Sequence, residues 1–341
     1  MINETRIFRG SPQYYERVRG ISLGESELDF ISLNMPPVCN YRCHFCLSGM
    51  NGRQRPQNGL TERELQDLII EARDLGALHI EISGEGEPLV YRQMLENIIN
   101  FASPRGLHTT IFTNGSLLTE DFLQHLAQNN ASLAISLDYL DRGEYEHFAG
   151  RTNSYDAVIR NIELARNVFR RRISAENGYR VLPLAIHSIV TADNAGEIPR
   201  IKEFVGDEIF FSVAPIMNRG NTREHSDLLI DSRRTDSIIN QYSDGSLIVS
   251  DSSVRDVGRP TCGTFYYGVG IRYDGEILFD AHAYDTAGLF GNIRNQAFPD
   301  LVRGLRNAQR TYFERFSGDG FCPLRNSNFD NFVQYLRQRN G

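Results

Sequence analysis

The chain has 341 residues, 40% hydrophobic and 23% charged, a composition typical of one large or two smaller folded domains. Its formal net charge of −7 argues against a dedicated nucleic-acid binder. No apolar run reaches the roughly 18 residues that a membrane span needs, and the first residues lack the apolar core of a signal peptide, so we expect a cytoplasmic protein with no membrane partner.

Along the chain, short apolar segments rich in β-branched or aromatic residues alternate with segments of helical periodicity. The first predicted helix is Thr61–Leu75, where Thr61 and Glu64 form a capping-box pattern. Later helices are predicted at Thr119–Gln128, at Tyr155–Arg171 and from about residue 198 to Phe204. The six predicted strands are Phe30–Asn34, His79–Ser83, His108–Thr113, Leu133–Leu137, Leu184–Val190 and Ile209–Val213.

Six such units in series predict an α/β fold whose parallel sheet curls at least partly into a barrel over residues 31–218. Residues 1–30 are then an N-terminal extension, and residues 219–250, rich in Arg, Asn, Asp and Ser, are a linker or lid. In residues 251–341, Asp274-Gly275 between two apolar runs predicts a β-hairpin. A helix is predicted at Asn328–Gln338, so we expect residues 251–341 to form a small second domain.

Three cysteines, Cys39, Cys43 and Cys46, lie within eight residues directly after the first predicted strand. Thiolates bind zinc and the iron of iron–sulfur clusters. A structural zinc site needs four protein ligands, and His44 or a distant cysteine would supply the fourth in a zinc-stabilised binding protein, the non-enzyme alternative. A four-iron cluster held by three cysteines instead leaves one iron open for chemistry.

The spacing C-x3-C-x2-C, with Phe45 before the last cysteine, resembles the cluster loop of the radical S-adenosylmethionine (radical SAM) enzymes. In that family, S-adenosylmethionine (SAM) binds the open iron of a [4Fe–4S] cluster, and an electron from the cluster cleaves it to a 5′-deoxyadenosyl radical that abstracts a substrate hydrogen. The resemblance implies both cofactors, a partial (β/α)6 TIM-type barrel and a flavodoxin- or ferredoxin-type electron donor. It places Phe45 beside the adenine of SAM or as a shield of the cluster.

The run SGEGEP at residues 83–88 follows the second predicted strand and resembles the Gly-Gly-Glu-Pro element with which the family holds the SAM amino group. Gly86 and Glu87 fall on the second glycine and the glutamate of that element, whereas Glu85 replaces its first glycine. The resemblance implies further SAM contacts at the ends of later strands. An ordinary turn or an inward barrel residue is the alternative for several of them. These contacts are Asn114, Ser136, Asp138 and Thr191.

The predicted second domain resembles the α+β SPASM/twitch extensions of the family, which bind auxiliary [4Fe–4S] clusters. Cys262 and Cys322 fall on two ligand positions, but Asp280 and Arg325 stand where two further cysteines are expected. Three alternatives stay open: the auxiliary cluster is lost, or an atypical one persists with a ligand such as Asp280 or His282, or one cysteine donates hydrogen to a substrate radical. The last alternative would make the protein an epimerase.

We therefore expect a radical SAM enzyme of natural-product biosynthesis that acts on a small substrate, such as a sugar, nucleoside or amino-acid derivative. Residues 1–30 are too few for the leader-binding domain that many peptide-modifying relatives carry. Epimerisation, dehydration, decarboxylation and oxidation all stay open. The enzymatic alternative is a radical SAM peptide maturase or epimerase.

Overall fold

The computed structural model describes residues 5–49, 56–247, 268–316, 324 and 328–340. The strands are β1 (Arg6–Phe8), β2 (Phe30–Met35), β3 (His79–Gly84), β4 (His108–Thr113), β5 (Ala131–Ser136), β6 (Ser174–Glu176), β7 (Tyr179–Leu182), β8 (Leu184–Val190), β9 (Phe210–Pro215), β10 (Gly268–Ile271) and β11 (Ile277–Leu278). The α-helices are α1 (Glu62–Asp74), α2 (Arg92–Ala102), α3 (Glu120–Gln128), α4 (Arg142–Ala149), α5 (Tyr155–Arg170), α6 (Ile198–Val205), α7 (Ser232–Tyr242), α8 (Phe298–Arg315) and α9 (Asn328–Asn340).

The main sheet has eight strands in the order β11-β10-β2-β3-β4-β5-β8-β9. Its six strands from β2 to β9 run parallel and follow chain order, as the alternating pattern of the sequence predicts. Within the described residues, β11 and β9 are the edges of this sheet, so the barrel is partial. The predicted α/β fold class is confirmed.

Side chains alternate along β3, and this alternation separates the core from the barrel interior. Ile80 and Ile82 pack in the large apolar core that the sheet shares with its helices. Glu81 and Ser83 point the other way and line a cavity inside the barrel. On the outer side, Thr61 and Glu64 form the predicted capping box at the start of α1.

The N-terminal extension closes the lower end of the barrel, where the parallel strands begin. Its strand β1 pairs in parallel with β7 of a separate small sheet that the sequence did not predict. Tyr15 OH lies 3.2 Å from Nδ1 of His79 at the start of β3. Gly10 has φ +94°, and a Cβ there would stand 2.6 Å from ring atoms of His79 and His108. This end is therefore filled, and the cavity lies toward the opposite end.

The predicted hairpin forms around Asp274-Gly275, where β10 and β11 pair antiparallel. β10 also pairs in parallel with β2 and so extends the barrel sheet. The segment predicted as a second domain thus shares its sheet with the barrel. The described part of the predicted linker, residues 219–247, contains α7 and two short 3-10 turns. None of the described helices is long and apolar enough to cross a membrane.

Candidate functional site

A cavity of about 300 Å³ lies at the C-terminal ends of the parallel strands. Cys39, Cys43 and Cys46 all line it, together with residues from β3, β4, β5, β8 and β9. The loop that carries the cysteines directly follows β2, which delivers it to this end of the sheet. Active sites of parallel α/β barrels collect at this end, so the cavity is the candidate active site.

Helix α4 holds one side of the cysteine loop. Arg42 N donates to Ala149 O at 3.0 Å, and His44 N donates to Phe148 O at 3.1 Å. Gly150 ends the helix with φ +58°, and a Cβ there would stand 2.3 Å from Arg42 O. The loop therefore packs directly against the C-terminus of α4, and only glycine allows that approach.

The predicted linker holds the other side of the loop. Asn221 N donates to Cys46 O at 2.9 Å, and Asn221 Nδ2 donates to Cys43 O at 2.9 Å. Gly220 has φ +55°, and a Cβ there would lie 2.2 Å from Cys46 O. One asparagine thus fixes the backbone carbonyls of two cysteines, on the loop whose thiols line the cavity.

His44, the loop residue named as an alternative zinc ligand, does not line the cavity. Its ring stacks on His225 with centroids 5.0 Å apart and meets the edge of His147 at 4.7 Å. These contacts hold the ring on the outer side of the loop, between α4 and the segment that the sequence predicted as a linker.

Burial disfavours the charged form of the cysteine thiols. It raises the pKa of Cys39 to about 11, with smaller contributions from the charges of Glu87 and Cys46. It also raises the pKa of Cys43 well above its ordinary value, and the neighbouring thiolates add to this effect. A positively charged group bound among the three sulfurs would offset both the burial and the mutual repulsion of the thiolates. The three thiols therefore fit a thiolate-bound metal cluster.

In the part of the chain that the structure describes, no three His, Cys, Asp or Glu side chains are arranged to hold a single metal ion. The three thiols do share one cavity wall. Each cysteine of a cubane cluster binds a different iron, so its thiols need not converge on one point. Three thiols on one cavity wall are therefore compatible with a cubane cluster.

Glu87 joins the ends of β3 and β4. Its side chain accepts hydrogen bonds from Thr113 Oγ1 at 2.5 Å, Asn114 N at 2.9 Å and Leu89 N at 3.0 Å. Burial raises the pKa of the carboxyl group, whereas these three donors lower it. A carboxylate has about four acceptor sites, and three are occupied by these donors, so about one remains to accept a hydrogen bond from a ligand in the cavity.

Gly86 packs against the start of the cysteine loop. A Cβ at this position would stand 2.4 Å from Val38 O and 2.5 Å from Pro36 O. Next to it, Glu87 N donates to Val38 O at 2.9 Å. The second glycine of the SGEGEP run is therefore required for close contact between the loop and the end of β3.

Asn114, Ser136 and Asp138 all line the cavity at successive strand ends. Asn114 Nδ2 donates to Asn40 Oδ1 at 2.9 Å, which connects the end of β4 to the cysteine loop. Asp138 Oδ1 accepts from Ile189 N at 2.7 Å, yet burial raises the pKa of this carboxyl group to about 7. Asp138 can therefore hold or release a proton near neutral pH.

Phe45 and Thr191 differ in where the structure places them. Phe45 lines the cavity, but its ring is stacked on Phe148 with centroids 4.4 Å apart. Thr191 does not line the cavity. Its Oγ1 accepts from Asn194 N at 3.2 Å, so the side chain stabilises the turn after β8. Cys262, Cys322 and Arg325 lie outside the described residues.

Several cavity residues were not among the candidates from the sequence. Glu81 reaches the interior from the middle of β3, and Met217 and Tyr284 come from segments after β9. His282, named from the sequence as a possible auxiliary-cluster ligand, lines the same cavity. Tyr284 is partly buried, and the desolvation of its hydroxyl together with nearby charges, that of Glu85 first, raises its pKa well above the ordinary value. The sequence does contain a signal for Glu81, because a carboxylate in the middle of the apolar run of β3 indicates a side chain that faces the barrel interior.

Comparison with known proteins agrees with this geometry. Residues 33–179 match the family model described as the radical SAM superfamily. The chain is 26% identical over 243 residues to an S-adenosylmethionine-dependent nucleotide dehydratase of Flammeovirga pacifica, covering 67% of this chain and 78% of that protein. It is 26% identical over 181 residues to a GTP 3′,8-cyclase of Actinobacillus succinogenes, covering 52% of this chain and 50% of the cyclase.

Solved structures share the fold at lower sequence identity. Streptococcus suis SuiB bound to S-adenosylmethionine aligns with a TM-score of 0.58 and 19% identity, over 82% of this chain and 68% of SuiB. Native anSMEcpe with bound AdoMet and Cp18Cys peptide aligns with a TM-score of 0.59 and 13% identity, over 92% of this chain and 97% of that one. The match over residues 33–179, together with the cysteine loop, the strand-end residues and the sheet order, supports a radical SAM superfamily enzyme.

Proposed function

We propose that this enzyme binds a [4Fe–4S] cluster on Cys39, Cys43 and Cys46 and SAM beside it, and abstracts hydrogen from a small biosynthetic substrate in the same cavity. The observation that carries the proposal is that the three thiols line one cavity together with five residues at or just after strand ends. These five residues are Gly86, Glu87, Asn114, Ser136 and Asp138. When bound, the two groups supply a 5′-deoxyadenosyl radical.

Residues of the protein itself bind SAM and orient it in the cavity. Glu87, fixed by its three donors, presents its remaining acceptor site to an ammonium group such as that of SAM. Ser136 offers a hydroxyl at the end of β5. Phe45, held by Phe148, covers the thiols with an apolar face that excludes water from them.

A small substrate is supported by the names of two relatives. These relatives, matched over 67% and 52% of the chain, are named for a nucleotide and for GTP. Dehydration, epimerisation, decarboxylation and oxidation remain alternative outcomes of the same first step.

We further propose that residues 268–340 act as a twitch-like cap on the substrate side, because His282 and Tyr284 reach the cavity from that segment. Cys262 and Cys322, either as ligands of an auxiliary cluster or as hydrogen donors, stay part of this proposal. Their substitution by alanine, followed by iron analysis, separates a ligand role from a donor role.

The proposal is tested by reductive SAM cleavage under anaerobic conditions with dithionite. The reconstituted protein should form 5′-deoxyadenosine and methionine, and Cys43→Ala should abolish both products. His44→Gln is the matched control, because His44 lies in the same loop but outside the cavity, and it should retain cleavage. Cleavage that survives in Cys43→Ala would overturn the assignment of the loop.

A further inference from the structure

Helix α9 is anchored to the rest of the chain by aromatic packing. Phe329 and Phe332 of this helix are both 0% exposed. The ring centroid of Phe329 lies 5.4 Å from that of Phe279, which directly follows β11, and 6.0 Å from that of Tyr312 in α8. Buried aromatic rings supply large apolar contact areas. The first turn of α9 is therefore a fixed point in the structure.

Arg219, which follows β9, binds this first turn. Its Nη1 lies 2.5 Å from Oδ1 of Asp330 in α9 and 3.3 Å from Oδ2 of Asp285. Its guanidinium carbon lies 5.0 Å from the ring centroid of Phe329. The Arg219 side chain is only 8% exposed. Because leaving the two carboxylates would strand a buried charge, these ion pairs hold Arg219 in place.

The residues directly after Arg219 hold the cysteine loop. Gly220–Arg223 is a single 3-10 turn with Arg219 at its N-terminal end. Within this turn, Asn221 donates to the backbone carbonyls of Cys43 and Cys46, both at 2.9 Å. Packed protein interiors transmit displacements over such short, hydrogen-bonded segments. A movement of Arg219 would therefore move Asn221 and the carbonyls that it holds.

The neighbours of Arg219 and of one of its carboxylates reach the cavity. Met217 and Tyr284 both line it, and Tyr284 directly precedes Asp285. Arg219 N donates to Met217 O at 2.8 Å, and Arg337 Nη2 of α9 donates to Asp285 O at 3.0 Å. Arg219 thus connects helix α9, the cysteine loop and the part of the cavity wall that Met217 and Tyr284 form, which we call the substrate-side wall.

We propose that Arg219 is a positioning residue, which ties the cysteine loop to α9 and so fixes Cys43 and Cys46 relative to the substrate-side wall. Arg219 does not line the cavity, so it acts through Asn221. Hydrogen transfer needs the reacting atoms held about 3–3.5 Å apart, which makes a fixed distance between loop and wall valuable. The inference rests on the proposed function, because it concerns the loop proposed to hold the cluster.

The test follows the thiols of the cluster-free protein, so it requires neither iron nor substrate. The full chain is treated with iodoacetamide without oxygen, and the alkylation rate of each cysteine is measured by mass spectrometry. Cleavage after Arg42 separates Cys39 from the other two cysteines. Arg219→Met should speed the alkylation of Cys43 and Cys46 several-fold. Cys39 is the internal control and should keep nearly its wild-type rate, because Asn221 bonds to the other two cysteines.

Two further variants locate the effect in the buried ion pairs. Arg223→Met is the matched control, because Arg223 lies 3.6 Å from Asp330 and 3.9 Å from Asp285 but is 52% exposed; it should leave all rates unchanged. Asp330→Asn preserves shape and weakens the Arg219 contact, so it should raise the same two rates by less than Arg219→Met does. If Arg219→Met does not fold, Asp330→Asn still decides. Wild-type rates in the folded variants would overturn the inference.

A double variant tests whether Arg219 acts through Asn221. Arg219→Met added to Asn221→Ala should raise the two alkylation rates no further, because the connection is already cut. An additive rise in the double variant, or an equal rise at Cys39 in Arg219→Met, would show that Arg219 only stabilises the fold. Either result would overturn the positioning role.

The iron content of the reconstituted wild type separates this inference from the proposed function. A wild type that binds no iron would contradict the proposed function and leave the alkylation pattern intact. About four irons per chain, with Cys39, Cys43 and Cys46 alkylated at wild-type rates in Arg219→Met, would contradict only the inference.

Discussion

Arg272 Nε donates a 2.7 Å hydrogen bond to the carboxylate of Glu85, joining the hairpin after the barrel to the loop that ends β3. Glu85 is the residue that replaces the first glycine of the family element. Its side chain is 2% exposed and that of Arg272 is 20% exposed. The departure from the family pattern therefore has a structural consequence: it ties the C-terminal hairpin to the wall of the active-site cavity.

We predict that removing the arginine of this ion pair destabilises the fold more than neutralising the glutamate does. Arg272→Met should destabilise the fold by about 3–5 kcal/mol, because Glu85 then loses its arginine in a buried position. Glu85→Gln should cost less, since Arg272 keeps Asp274 at 3.3 Å and is partly exposed. Chemical denaturation measures both, and the exposed Arg73–Asp74 pair is the control, with an expected cost below about 1 kcal/mol. Equal costs for the two substitutions would contradict the asymmetry.

The contact between Gly86 and the cysteine loop gives a second prediction. Gly86→Ala should force Val38 and Pro36 away and destabilise the fold by about 1–3 kcal/mol, with a parallel loss of reconstituted iron. Gly196→Ala is the matched control, because nothing lies within 4 Å of a Cβ at that position. Iron content per chain and the denaturation midpoint are the readouts. Full iron content in Gly86→Ala would show that the loop tolerates displacement.

Asp138 predicts a dependence of stability on pH. Its pKa in the folded state, about 7, exceeds the ordinary value of 3.8. Between these values the folded protein binds more protons than the unfolded chain, so stability should fall as pH rises from about 4 to 7. Asp138→Asn should remove this part of the slope and stabilise the protein at pH 8 by roughly 1–4 kcal/mol.

Denaturation curves at pH 5, 6, 7 and 8 test this dependence. Asp67→Asn is the control, since Asp67 is exposed on α1 and its nearest cation lies 3.8 Å away. Parallel pH profiles for the wild type and Asp138→Asn would mean that Asp138 is ionised throughout this range.

The hydrogen bonds of Asn221 to the cysteine loop predict an effect on cluster retention. Asn221→Ala removes the side-chain donor to Cys43 O and should speed the loss of iron in air several-fold, because the loop gains freedom to open. The loss is followed by the decay of visible absorbance. Ser226→Ala, an exposed site in the same segment, should decay at the wild-type rate. Equal decay of Asn221→Ala and the wild type would mean that α4 alone fixes the loop.

Much of the fold was predictable because its signals are local. The six parallel strands stand close to their predicted bounds, since each is a short apolar run between turn residues. The capping box of Thr61 and Glu64 and the hairpin at Asp274-Gly275 formed as predicted, because a few adjacent residues determine such motifs. Helix α2 has no comparable start signal and was missed.

Contacts between distant segments were not predictable in the same way. Nothing in the sequence near Asn221 indicates that it binds carbonyls about 180 residues earlier, because that contact depends on how β9 returns to the barrel mouth. Thr191 was expected in the SAM site but pairs with Asn194, three residues on, which is a local turn pattern. Glu81 could have been recognised, since a carboxylate between two isoleucines in β3 must face the barrel interior.

The most direct test of the central claim is the iron, sulfide and zinc content of the protein after purification and reconstitution without oxygen. We predict about four irons and about four sulfides per chain, bound to the loop of Cys39, Cys43 and Cys46, with loss of both in Cys43→Ala. About eight irons would add an auxiliary cluster that Cys262 and Cys322 help to bind. Zinc without iron would contradict the account, because the three thiols would then belong to a structural site.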